Sequence, residues 1–155
     1  MRGGMNKAPP ENLKQLRTTL PLTDLNQDTT GVEQALARFI DAFTRLDWEA
    51  FRLCWVSDPT TFFPHTENHR AGGKDFDKTW QKVFSIIKTA AAASGVTAPP
   101  YHSIDPMDLE IMMLGGDAAL ATFHLMDPRG TARRTIVLKR EHGEWLLAHL
   151  HASIL

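Results

Sequence analysis

Residues 107–126, MDLEIMMLGGDAALATFHLM, and 130–154, GTARRTIVLKREHGEWLLAHLHASI, decide the fold. From Tyr101 to Leu155 the chain reads as four strands of about eight to ten residues, cut by turn-forming Gly115-Gly116, Asp127-Pro128-Arg129-Gly130 and His142-Gly143. Consecutive strands joined by such turns make an antiparallel meander. Side chains alternate between faces with period two, so counting outward from two-residue loops, or a four-residue loop at 127–130, assigns each residue a side. One face then carries Leu109, Ile111, Met113, Leu120, Thr122, His124, Arg133, Thr135, Val137, Leu146, Ala148 and Leu150. The other carries Asp108, Glu110, Met112, Ala121, Phe123, Leu125, Arg134, Ile136, Leu138, Trp145, Leu147, His149 and His151.

Upstream, the period changes to that of helices. Thr30-Gly31-Val32-Glu33 fits a capping box, and Val32, Leu36, Phe39, Phe43 and Leu46 follow on one helical face. Asp47 is placed to cap a short second helix through about Leu53. Asp58-Pro59 closes that run before a short strand, Thr60-Thr61-Phe62-Phe63. Phe76, Trp80, Val83, Phe84 and Ile87 mark a third helix, and Ser94-Gly95 its stop. Residues 1–30, with Pro9, Pro10 and Pro21, read as an N-terminal arm, and 31–155 as one domain. The fold class is α+β: three N-terminal helices packed on a curved antiparallel sheet.

The chain has 155 residues, a size typical of a single domain, and 43% of them are apolar. Seventeen Lys+Arg against eighteen Asp+Glu give a net charge of -1, which excludes the basic surface that backbone binding to nucleic acid demands. No apolar run reaches membrane-spanning length and the N-terminus lacks an apolar signal core, so no membrane association and a cytoplasmic location are expected. The lone Cys54 excludes an internal disulfide and a cysteine-based zinc cluster. His65 and His69 are four apart, but Glu67 is misplaced for a zinc helix and the segment follows a strand. No metal and no cofactor are expected.

Neither meander face is uniformly polar, so both require cover. Three helices cover one side, and a second copy of the chain is the simplest cover for the other. The aliphatic face is assigned to this homodimer. The mixed face is turned toward the helices around a cavity, because Asp, Glu, Arg and His buried without partners cost several kcal/mol each. The expected cross-sheet rows are Glu110, Ala121, Ile136, His149 and Asp108, Phe123, Arg134, His151. His149 and His151, about 6.6 Å apart along a strand, either share a small anion or act as acid and base, or sit neutral in the core. Arg134 either holds His151 neutral or pairs with Asp108. Glu110, flanked by Met112 above Ala121, is the first candidate for a desolvated catalytic base; the alternative is a wet pocket mouth. Phe63, Phe123 and Trp145 are read as pocket wall.

Asp47-Trp48-Glu49-Ala50-Phe51 after the first helix, and the ending Gly143-Glu144-Trp145-Leu146-Leu147-Ala148-His149-Leu150-His151-Ala152-Ser153, resemble the SnoaL-like branch of the nuclear-transport-factor-two-like superfamily. The association domain of calcium/calmodulin-dependent kinase is similar over the same stretch, including Gly115-Gly116-Asp117-Ala118-Ala119. The resemblance implies a cone-shaped α+β barrel, a pocket between helices and concave sheet, and usually a dimer built through the convex sheet. Ketosteroid-isomerase-like members use a pocket Asp as base with a Tyr at the oxyanion; here the only Tyr, Tyr101, falls outside the matching strand positions. Where the kinase association domain has pocket arginines, this chain has Leu125 and Ile136. The expectation is a dimeric small-molecule-binding protein whose apolar pocket engages its ligand through His149, His151, Arg134 and Asp108. The alternative is a cofactor-independent isomerase or dehydratase with Glu110 or His149 as general base.

Overall fold

Helix α1 forms where Val32, Ala35, Leu36, Phe39 and Ala42 recur on one face, all of them buried. In a computed structural model, which describes residues 22–64, 70–127 and 130–154, α1 spans Leu22–Thr44. It therefore starts well before Thr30 and crosses the boundary expected at residue 30. The capping-box reading fails here, since Thr30-Gly31-Val32-Glu33 lies inside the helix. Gly31 has a different reason to be glycine: a Cβ there would lie 2.8 Å from Trp145 Cδ1, so the indole packs flat on the helix backbone.

Asp47 caps α2 (Trp48–Leu53) as expected, its Oδ1 accepting from the Ala50 N–H at 3.1 Å. Helix α3 spans Lys74–Ala93, and Gly95 follows with φ +84°, the left-handed conformation that ends the helix. On α3, Trp80 and Phe84 are buried against Phe51 of α2 and Phe43 of α1, and Phe76 against Trp55.

The strands are β1 (Trp55–Phe62), β2 (Ala71–Gly72), β3 (Met107–Met113), β4 (Ala118–Asp127), β5 (Gly130–Glu141) and β6 (Glu144–Ile154). They form one curved, unclosed sheet in the order β2-β1-β6-β5-β4-β3, the α+β cone that was expected. Two details depart from expectation. The sheet is mixed, because β1 runs parallel to β6, and β2 forms where a loop around Ala71-Gly72 was read. Strand β1 also runs straight through Asp58-Pro59. Its register against β6 shifts between Trp55 and Thr60, so the missing Pro59 N–H falls in an irregular stretch. Arg52 serves the carbonyls this leaves, donating to Val56 O at 2.9 Å and Ser57 O at 3.1 Å, while its Nε meets Asp77 Oδ1 of α3 at 3.0 Å.

The helices lie on the concave side. Between them and the sheet, Phe39, Phe51, Trp55, Phe76 and Trp80 meet Ala121, Phe123, Ile136, Leu138, Leu147 and Leu150 in one cluster. Ile136, Leu138 and Leu147 are wholly buried, each contributing about 1.5–3 kcal/mol.

Candidate functional site

The β4–β5 register was read correctly. Ala121 faces Ile136 and Phe123 faces Arg134. The other two hairpins each differ by one residue, and each difference turns a strand over. At the β3–β4 turn Met113 pairs with Ala119 and the Leu114 N–H bonds to Ala118 O, one residue more than a two-residue loop at Gly115-Gly116 allows. Glu110 consequently pairs with Thr122, not Ala121. In β6, Leu138 pairs with Leu147 but Val137 with His149, leaving Ala148 as an extra residue. Beyond this bulge, Leu150 and Ala152 point inward, and His149 and His151 outward.

The physical cause is the same in both places. The concave side is a packed aromatic core, and imidazole or carboxylate groups there would lose their hydration. One added residue per hairpin exchanges them for Ile111, Met113, Leu150 and Ala152, all of which join the core. The outer face then reads, strand by strand, Glu110, Thr122, Thr135, His151, Phe62 in one row and Met112, Leu120, Val137, His149, Thr60 in the next. A third row carries His124, Arg133 and Ser153.

The expected site residues are accordingly divided. Trp145 and Phe123 are buried in the core, and Phe63 packs at its margin with its ring 4.7 Å from that of Trp80. Glu110 shares a face with His149 and His151, but the convex one, and is exposed. Three strand spacings of about 4.8 Å put it about 14 Å from His151, beyond hydrogen-bond reach. Glu110 and His151 therefore do not meet at one reacting position. Arg134 pairs across the strands with Ala152, not with His151, and its Nη1 donates to Arg133 O at 2.9 Å. Asp108, at φ +53° where the β3 register shifts again, approaches His124, its Oδ2 3.6 Å from Nδ1. Inside the cone, among the described residues, aromatic rings pack against one another. Trp55 and Trp80 lie there with their indole N–H groups among them, without an oxygen or nitrogen acceptor.

Two arrangements on the outer side have chemical potential. The first is a cavity of about 380 Å³ lined by Asp108, Glu110, Thr122, Phe123, His124, Arg133, Arg134 and Thr135. Four of the eight expected site residues line it, joined by His124 and Arg133, which sequence counting had assigned to the dimer face. Opposite charges and two hydroxyls around one opening suit a small organic molecule with a charged end. The second is a histidine cluster on β1 and β6. Thr60 Oγ1 and His149 Nδ1 are 2.7 Å apart, and the Phe62 ring lies 5.5 Å from those of both His149 and His151. Burial, and then the positive charges of His151 and Arg70, push the His149 imidazole below its ordinary value. The alternation of β1 held a signal for Thr60 and Phe62, but Arg70 precedes a two-residue strand that leaves no periodic trace. Among the described residues no group of three or more His, Cys, Asp or Glu is gathered to hold a metal ion, and His65 and His69 lie outside them. No described helix is long and apolar enough to cross a membrane.

The fold is shared with solved structures of low sequence identity. A protein of the NTF2-like family from Streptomyces avermitilis, proposed to be a dehydratase, superposes with a TM-score of 0.66 at 18% identity, over 84% of this chain and 97% of its own. An NTF2-like protein with a cystatin-like fold from Novosphingobium aromaticivorans gives 0.63 at 18%, over 98% and 92%. The CaMKII hub homology domain of Chlamydamonas reinhardtii gives 0.58 at 20%, over 82% and 98%. No curated protein matches the chain. The sequence pattern of the SnoaL-like domain matches residues 32–155, which covers α1 from Val32 onward, α2, α3 and the whole sheet, and the chain belongs to the SnoaL-like domain family.

Proposed function

We propose that the protein is a homodimeric small-molecule-binding domain whose ligand occupies the cavity on the outer side of β3, β4 and β5. The observation that carries this reading is the cavity itself, about 380 Å³ with carboxylate, guanidinium, imidazole and hydroxyl groups converging on it. A ligand with a carboxylate at one end meets Arg133, and an ammonium or hydroxyl at the other meets Glu110, with Thr122 and Thr135 on the same wall. This is a more polar site than the sequence suggested, because the strand turnover carried the ionisable groups out of the apolar interior.

Self-association follows from cover. The helices occupy the concave side, whereas Leu120, Val137 and Met112 form an apolar row on the outer face, with Met112 59% exposed. A second copy packed there would bury that row and roof the cavity.

One observation favours an enzymatic second reading. His124 and Asp108 are neighbours at 3.6 Å on the cavity wall, the start of a carboxylate-oriented general base for an isomerase or dehydratase. The test is native mass spectrometry of the protein from its host, followed by calorimetric titration of the co-purified compound into Glu110→Gln and Arg133→Gln variants. Each should weaken binding by about tenfold, the scale of one charged hydrogen bond. Unchanged affinity in both variants overturns the site. Turnover of the compound that is lost in His124→Gln establishes the second reading over the first.

A further inference from the structure

The half of the outer face away from the cavity carries a second constellation. Thr60 pairs with Gly72 and Thr61 with Ala71, so continuing the β1–β2 register by one residue sets Arg70 beside Phe62. Phe62 in turn pairs with His151, and Thr60 with His149. Arg70, Phe62 and His151 thus stand in one row, with Thr60 and His149 in the row alongside. Phe62 is 37% exposed and its ring touches both imidazoles. Arg70 and His151 are exposed, and His149 is half-buried.

The charge balance of this cluster is one-sided. Toward His149 and His151 face Thr60 and Phe62 from β1, Thr135 and Val137 from β5, and Arg70 beside β2. None of these is a carboxylate, and Glu110 lies three strands away along the row. With Thr60 Oγ1 on its Nδ1, His149 has its Nε2 left for another partner. Gly72 keeps the edge narrow, since a Cβ there would come within 3.2 Å of Thr60 Cγ2. The guanidinium fork and the imidazole N–H groups are hydrogen-bond donors that no carboxylate faces among the described residues, and Phe62 offers an apolar surface between them.

We propose that Arg70, His149 and His151, arranged around Phe62, form a binding site for a small oxyanion, a carboxylate or a phosphate, separate from the β3–β5 cavity. The fork of Arg70 takes two oxygens, the imidazoles the remainder, and an apolar body attached to the anion lies on Phe62. Binding tightens as pH falls, because protonated imidazoles become donors at both nitrogens.

The test is titration of the full-length protein with sodium benzoate and, separately, inorganic phosphate, following the histidine ring signals by nitrogen–proton correlation NMR. The His149 and His151 signals should shift saturably, and equally so in an Arg133→Gln protein, which separates their response from any shift of His124 on the β3–β5 cavity. Arg70→Gln, a change at an exposed side chain, should weaken binding by about tenfold with an unchanged melting temperature. Stronger binding of benzoate identifies a carboxylate ligand, and stronger binding of phosphate a phosphorylated one. Absence of a saturable shift with either anion overturns the proposal, as does equal affinity in the Arg70→Gln protein. Because His124 reports on the other cavity, failure here is distinguishable from failure of the proposed function.

Discussion

Gly31 shows how one residue's role depends on what lies across from it. In an exposed helix, alanine would be favoured over glycine by about 1 kcal/mol. Here the added methyl would sit 2.8 Å from the indole of Trp145, a buried ring with no free path to retreat. Gly31→Ala should therefore destabilise the domain by about 1–3 kcal/mol, the usual cost of overpacking, measured by denaturant unfolding. A stabilised variant would show that the helix and β6 can separate freely. His149 gives a pH prediction. Its imidazole is held below the ordinary 6.5 by burial, His151 and Arg70, so the unfolded chain takes up this proton first. The stability contributed by the neutral ring is complete above that value and is lost as pH falls from it toward the lower folded value. The His149→Gln protein should show a flatter dependence of melting temperature on pH from about 7 to 5.

At the scale of the element, the bulge at Ala148 and the longer β3–β4 turn do most to define the surface. Strand alternation is a parity, and a single unpaired residue inverts everything beyond it. Counting outward from Gly115-Gly116 and His142-Gly143 therefore gave the correct faces for Trp145 and Leu147, but the wrong ones for Glu110, His149 and His151. The error is physically intelligible, because the residues turned inward, Ile111, Met113, Leu150 and Ala152, are all apolar. The irregular part of β1 makes a similar point. Arg52 holds two carbonyls of that stretch together with Asp77, and its guanidinium also lies 5.6 Å from the centre of the Phe76 ring. Arg52→Leu leaves Val56 O and Ser57 O without these donors, and should cost about 1–3 kcal/mol in chemical unfolding. An unaffected midpoint would mean that water replaces the guanidinium at no cost.

Among the described residues, the helices cover one face of the sheet and no element covers the other. The outer face holds the apolar row of Met112, Leu120 and Val137, the β3–β5 cavity on one half, and the Arg70–His149–His151 cluster on the other. If a second copy covers the apolar row, Leu120→Glu or Val137→Glu should convert dimers to monomers in light scattering, since a buried unpaired carboxylate opposes association by several kcal/mol. A dimer that persists in both variants would place the interface elsewhere.

The sequence by itself determined the three helices, the four-strand meander, their order and the α+β class. Helical periodicity at Val32 to Phe43 and at Phe76 to Ile87, the Asp47 cap and the turn residues between strands are local signals, set by neighbours a few positions away. It also supplied half of the cavity lining, since Asp108, Glu110, Phe123 and Arg134 line one opening. Which side of the sheet that opening faces was decided only in the tertiary structure. Bulges, the parallel pairing of β1 with β6, and the meeting of Arg70 with His149 arise from the demand that a single aromatic core be filled and kept dry. That demand is felt between residues distant in sequence, so no local pattern records it.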